Sequence, residues 1–212
     1  MGSLPTYSKL PKDFYLRDTL TVARDLIGRD IVRVTSEGIT VCRITETEAY
    51  LGKTDKACHS YKATPQGRTN IMYEDGGLAY VYLIYGMYCC FNVTTCPADI
   101  AEAVLIRSAQ PLEGIDLMTR RRTRPDKKVP GERQLLTGPG KLCIAMDISR
   151  DLYGEPLWGN KLFLAEGNPL ADSCVAATKR INIDYAEEAV DFLYRFVEKE
   201  SHYLSVKYRE KQ

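Results

Sequence analysis

The chain is predicted to form an α+β fold: a single domain built on a curved antiparallel β-sheet, flanked by helices and carrying a protruding β-hairpin. Three observations lead there. β-Branched, alternating runs recur between turn signals, as strands do. Two pairs of such runs meet at short glycine-containing turns, Glu37-Gly38 and Tyr85-Gly86. With 212 residues, 44% hydrophobic and 27% charged, the chain can bury one substantial core, and no Pro/Gly/Ser-rich linker divides it.

Asp18 precedes an amphipathic run through Val22, Ala23, Leu26 and Ile27 that stops at Gly28, a helix with an aspartate cap and a glycine terminator. Strands follow at 30–36 and 39–50, with Glu37-Gly38 between them. A second hairpin joins 78–84 to 87–95, with Tyr85-Gly86 at its tip. Residues 103–108 give a further strand and 111–122 a helix that ends in basic residues. Thr137-Gly138-Pro139-Gly140 opens a short helix through Leu142, Ile144, Ala145 and Met146. Strands are expected again at 161–165 and 174–181. The 185–199 stretch fits a helix through Ala189, Val190, Leu193, Phe196 and Val197, while its aromatic content suits a strand. Residues 1–9 and 206–212 are expected to be peripheral.

Composition narrows the function. No run of about 18 apolar residues occurs, and residues 1–12 lack the pattern of a secretory signal. A soluble intracellular protein without membrane association is expected. The seven cysteines form no CxxC pair, and their odd number argues against a closed disulfide framework. The two histidines, His59 and His202, lie far apart in sequence, so neither a metal nor another cofactor is expected. The net charge of +1 gives no overall basic character. Its distribution matters more, because Arg120, Arg121, Arg122, Arg124, Lys127, Lys128, Arg133 and Lys141 face only Asp126 and Glu132 within one segment. No heptad seam is visible, and a monomer without an obligate protein partner is expected.

Alternation along 43–50 places Glu46, Glu48 and Tyr50 on one face of a strand. Such a face is ordinary if solvated. If it lines a pocket, desolvation raises a carboxylate pKa towards the range of a general base. Paired carboxylates also permit a glycoside hydrolase, but residues two apart on a strand approach from the same side instead of flanking a scissile bond. The second hairpin carries Tyr80, Tyr82, Tyr85 and Tyr88, with Phe91 close behind. Cross-strand packing explains most such rings. A tyrosine at the turn itself is different, since an exposed tip ring can enter a DNA stack and fill the gap left by an extruded base.

Glu46-Thr47-Glu48-Ala49-Tyr50, His59-Ser60, Tyr80-Val81-Tyr82-Leu83-Ile84-Tyr85-Gly86-Met87-Tyr88, Asn92, Arg107, Pro111-Leu112-Glu113-Gly114 and Thr137-Gly138-Pro139-Gly140-Lys141-Leu142 occur in this order. The set resembles the alkyladenine (3-methyladenine) DNA glycosylase family over most of residues 10–205. The resemblance implies a monofunctional enzyme that flips damaged purines from double-stranded DNA. Glu48 would deprotonate the attacking water and Arg107 would help hold it. Tyr50, His59 and Tyr82 would sandwich the extruded base, Asn92 would crowd the exocyclic amine of guanine, and Tyr85 would intercalate. Thr137, Gly138, Gly140 and Lys141 become candidate phosphate contacts. Alkylation makes a purine electron-poor and a better leaving group, which suits an aromatic pocket.

The sequence departs from the family pattern at Arg68-Thr69, where Arg-Asn is common, in a longer 95–99 segment, and at His202, where proline is frequent. The resemblance also favours an extended ending over 195–205. A two-residue turn at Tyr85-Gly86 would send Tyr82 and Asn92 to opposite faces, whereas the implied roles put both at one pocket. A longer turn or a β-bulge is therefore expected there. A noncatalytic damaged-DNA-binding module is the alternative function, and the presence of Glu48 and Arg107 argues against it.

Overall fold

A computed structural model describes residues 7–210; residues 1–6 and 211–212, the outer parts of the two segments expected to be peripheral, lie outside the described residues. After a single turn, α1 (Lys12–Tyr15), comes α2 (Thr19–Asp25), where Asp18 Oδ1 accepts from the Thr21 N–H at 2.9 Å. The chain leaves this helix through Gly28 at φ +87°.

Eight strands form one antiparallel sheet: β1 (Asp30–Thr35), β2 (Gly38–Tyr50), β3 (Ala79–Ile84), β4 (Tyr88–Thr95), β5 (Glu102–Glu113), β6 (Leu162–Ala165), β7 (Val175–Thr178) and β8 (Arg195–Glu198). The main order is β3-β4-β5-β2-β1-β6, and β8 joins β2 to β7. β2 changes partner half-way. Residues 38–43 pair with β1, residues 46–48 with β8, and β5 runs along the opposite edge. At the changeover the backbone of Ile44 bonds to Gly28 and Arg29, and the register with β5 shifts on both sides of Glu46. Such irregularities re-aim side chains. Two further helices, α3 (Ile115–Arg122) and α4 (Pro139–Ala145), complete the fold.

Burial explains the arrangement. Val22 and Ala23 of α2, with Leu26 and Ile27 in the turn that follows it, join Ile44 and Ala49 of β2 and Val104 and Ile106 of β5 in the main core. A smaller cluster of Cys58, Met72, Tyr80, Ala101 and Ala103 has Tyr50 and Tyr82 packed against it. Among the described residues no helix is long and apolar enough to cross a membrane.

Several expectations are corrected. The helix expected over 111–122 starts only at Ile115, because β5 continues to Glu113, with Pro111 opposite Cys42 beside a register shift where a missing N–H is tolerated. The strand expected over 174–181 is confined to Val175–Thr178; Arg180 turns inward to Asp55 and the Ile181 N–H goes to Glu48. The 185–199 stretch is a 3-10 turn at Glu187–Asp191 followed by β8, so its C-terminal half is extended. At the N-terminal end the Tyr7 hydroxyl donates to Glu113 and Lys9 bridges to Ala165. Val206 is also tied down, its carbonyl accepting from Arg195.

Gly114 makes the turn from β5 into α3 at φ +72°, and a Cβ there would lie 2.4 Å from the carbonyl oxygen of Ile39. Gly114→Ala is expected to destabilise the domain by at least about 2 kcal/mol, combining backbone strain with overlap. Urea denaturation with an unchanged m-value checks this; an unaltered midpoint would refute it.

Candidate active site

A cavity of about 760 Å³ opens where β2, the β3–β4 hairpin and β5 meet the loops around residues 57 and 182. Tyr50, His59, Tyr82, Asn92 and Arg107 line it, and Tyr85 stands at its rim. The hairpin geometry brings this about. Tyr80 pairs with Asn92, Tyr82 with Cys90 and Ile84 with Tyr88, which leaves Tyr85, Gly86 and Met87 as a three-residue turn. Of the longer turn or β-bulge expected from the roles implied for Tyr82 and Asn92, the structure has the longer turn, and it sets Tyr80, Tyr82 and Asn92 on one face. Tyr85 adopts φ +53° and Gly86 φ +68°. A non-glycine residue pays a steric cost in the left-handed region, so the turn holds Tyr85 outward against local preference. Its ring is 79% exposed, and Met87 beside it is 71% exposed.

Glu48 and Glu46 are both fully buried on β2. Glu48 lies behind the cavity wall. Its Oε2 accepts from the Tyr50 hydroxyl at 2.8 Å and from Arg107 Nη1 at 3.2 Å, and its Oε1 accepts from the Ile181 N–H at 2.7 Å. All three donors belong to residues that line the cavity. Burial pushes the Glu48 carboxyl above the ordinary glutamate value, against the opposing pull of Arg107, the Ile181 N–H and the Tyr50 hydroxyl. For Glu46 the balance reverses: burial works to raise its pKa, but Arg195 and Arg107 together hold it below the ordinary value.

The aromatic residues form two separate surfaces. The rings of His59 and Tyr82 meet edge to face at 4.7 Å, and Tyr80 packs on Tyr82 with the rings tilted by 35° at 5.2 Å. Tyr50 instead lies under the Arg180 guanidinium, 4.8 Å from its ring centre. Arg180 is itself buried and held in a bidentate pair with Asp55. His59 Nδ1 shares a 2.9 Å hydrogen bond with the Tyr80 hydroxyl. Burial, aided by Arg68, depresses the His59 pKa to about 4, so the ring is neutral at pH 7. Asn92 Nδ2 donates to the Tyr80 carbonyl, which fixes the amide plane against the cavity.

The basic segment divides by partner. Arg120 and Arg121 both bind Glu37. Arg122, Arg124, Lys127, Lys128 and Lys141 have no carboxylate partner among the described residues and converge on a second cavity of about 430 Å³, with Gly138 and Gly140 in its wall. Gly140 also lines the first cavity, so the two adjoin. Thr137 does not reach this cavity; it bridges to Ser108 of β5. A Cβ at Gly140 would approach the Tyr88 Cβ to 3.1 Å, so the absence of a side chain lets α4 sit close to the hairpin.

Residues that the sequence did not single out complete the site, Ile181, Arg180 and Arg195, together with Arg68, which the sequence marked only as part of a departure from the family pattern. Ile181 acts through its N–H and leaves no side-chain signal. Arg195, between Tyr194 and Phe196, was legible as a charge in an apolar run, the mark of a paired buried ion.

The neutral state of His59 has a direct check. Because its folded pKa lies below the unfolded value of roughly 6.5, its contribution to stability is present above that pH and is lost as pH falls towards 4. The imidazole NMR resonances of His59 are expected to stay in the neutral position at pH 5.5; a midpoint near 6.5 would show that the ring is solvated.

The family model described as methylpurine-DNA glycosylase matches residues 13–202. A relative from Desulfitobacterium hafniense is 45% identical over 202 residues, covering 94% of this chain and 99% of its own length. One from Clostridium novyi is 44% identical over 202 residues, with 94% and 99% covered. One from Methanocella arvoryzae is 44% identical over 192 residues, with 91% and 93% covered. All three are provisionally named 3-methyladenine DNA glycosylases. The chain therefore belongs to the methylpurine-DNA glycosylase family.

Proposed function

We propose that this protein is a base-excision-repair glycosylase that flips alkylated or deaminated purines out of duplex DNA and hydrolyses the N-glycosidic bond with a water activated by Glu48. The observation that carries the reading is a buried, cation-paired carboxylate directly behind an aromatic pocket whose rim bears an exposed tyrosine. The substrates are purines of the 3-methyladenine, 7-methylguanine, hypoxanthine and ethenoadenine class.

In this mechanism Tyr85 enters the stack as the damaged nucleotide leaves it, and the base enters the slot between Tyr50 and the His59–Tyr82 wall. The Asn92 amide crowds the exocyclic amine of guanine. Water held between Glu48 and Arg107 gives its proton to Glu48 as its oxygen bonds to C1′. The C1′–N bond breaks and its electron pair leaves with the base. An alkylated base that was cationic departs neutral; hypoxanthine must gain a proton as it leaves. No lysine lines the cavity among the described residues, which supports a water-only, monofunctional reaction without an imine at C1′. The unpaired cations at the second cavity, Arg122, Arg124, Lys127, Lys128 and Lys141, suit phosphates of the same duplex.

Purified protein incubated in chelator with a duplex bearing one hypoxanthine or ethenoadenine, followed by hot alkali, is expected to give strand cleavage at the lesion. Glu48→Gln is expected to retain DNA binding and lose excision by roughly a hundredfold or more, as removal of a general base does. Binding without cleavage by the wild type, on these lesions and on alkylated DNA, would instead identify a noncatalytic damage-binding module. Tyr85→Ala is expected to fold normally and to lose roughly tenfold or more in excision efficiency, the stacking contribution of one ring. Equal excision by this variant would remove Tyr85 from the mechanism.

A further inference from the structure

The segment after β8 has no regular secondary structure, yet residues 203–206 are bound to the middle of the sheet. The Thr45 hydroxyl donates to the Tyr203 carbonyl at 2.8 Å. The Ser205 N–H donates to Glu46 Oε2 at 2.6 Å, and the Ser205 hydroxyl donates to Glu46 Oε1 at 2.8 Å. Arg195 Nη2 donates to the Val206 carbonyl at 2.6 Å. These contacts converge on Arg107. One edge of its guanidinium is spoken for, with Nε 3.0 Å from Glu46 and Nε and Nη2 at 3.3 and 3.2 Å from the Ser205 hydroxyl. The other end, Nη1, remains for Glu48 and the cavity.

Charge makes the same point. Glu48, Arg107, Glu46 and Arg195 form a line of alternating sign, neutral in sum and almost wholly buried. Glu46 alone would compete with Glu48 for a single cation, and Arg195 relieves that competition by bonding Glu46 at 2.7 Å. A buried charge left without its partner is costly, so each member fixes the next. We propose that Glu46, Arg195 and Ser205 are positioning residues for Arg107, so that Ser205 of the C-terminal segment is a working part of the active site. The proposal rests on the reading of Glu48 and Arg107 given above. It assigns Glu46 no contact with substrate.

Because Glu46 lies beside Glu48, its charge also bears on the ionisation of the base. The groups facing Glu48 are Glu46 and Tyr50 on its own strand, Arg107 from β5, Arg195 opposite it on β8, Cys90 from β4, and Arg180, paired with Asp55, together with Tyr185 from the 180–185 loop. Of these, Glu46 is the carboxylate that raises the Glu48 pKa. Its removal lowers that pKa and extends activity to lower pH.

Single-turnover excision by the full-length protein, on a duplex with one hypoxanthine, tests the proposal. Ser205→Ala is expected to lower the maximal rate roughly tenfold or more, the scale of one hydrogen bond to a charged group, with the half-saturating DNA concentration unchanged. Ser205→Thr, which keeps the hydroxyl, should recover most of that rate. Tyr203→Phe loosens the same segment by removing only the bond to Glu132, and should behave as wild type. Glu46→Gln should move the acid limb of the pH–rate profile to lower pH. A wild-type rate for Ser205→Ala, an equal loss in Tyr203→Phe, or an unmoved acid limb in folded Glu46→Gln would each overturn the proposal. If Glu46→Gln does not fold, the comparison of Ser205→Ala with Tyr203→Phe decides. Activity retained by Glu48→Gln would remove the underlying reading, whereas an inactive Glu48→Gln beside an unaffected Ser205→Ala removes this proposal alone.

Discussion

Two carboxylates buried in one strand govern this structure. Glu46 and Glu48 have no solvent exposure, and a charge in that position persists only if paired and hydrogen-bonded. Glu48 meets this condition with Arg107, the Tyr50 hydroxyl and the Ile181 N–H, and Glu46 meets it with Arg107, Arg195 and Ser205. The sheet is shaped to allow it. β2 exchanges β1 for β8 just where the two glutamates occur, so Arg107 approaches from β5 on one edge and Arg195 from β8 on the other. A regular sheet with β1 continuing along β2 would leave no place for Arg195.

The two glutamates differ in environment although they share a strand. Glu46 is surrounded by cations and is held ionised, as a structural ion should be. Burial dominates at Glu48 and raises its proton affinity, which suits a group that takes a proton from water. Divergent environments thus give two carboxylates of one strand opposite shifts in proton affinity.

The near-zero net charge conceals a similar separation over the surface. Glu37 neutralises Arg120 and Arg121, while Arg122, Arg124, Lys127, Lys128 and Lys141 gather without acidic partners among the described residues, next to the aromatic cavity. Unpaired cations repel one another, and an arrangement that keeps them together is compensated when a polyanion binds. The hairpin supplies the matching feature: Tyr85, held at positive φ, keeps a large ring in water at the rim of the same cavity.

Periodicity and turn chemistry made much of the fold legible. The α2 cap at Asp18, the two hairpins and the shared face of Glu46, Glu48 and Tyr50 all follow from residue type and spacing of two or 3.6. The turn at Tyr85 was legible less closely: the roles implied for Tyr82 and Asn92 called for a longer turn or a β-bulge, and the structure has the longer turn. The boundaries that failed, at Pro111 and at Arg180, lie where long-range partners override local preference: pairing with β2 in the first case, the Asp55 carboxylate in the second. What the tertiary structure alone decided is the surrounding of the two glutamates. Glu48 receives its N–H from Ile181, 133 residues away, and Glu46 binds Ser205 at a separation of 159. No local pattern encodes such contacts, because a backbone N–H is common to almost every residue and acquires its role only from where the fold carries it.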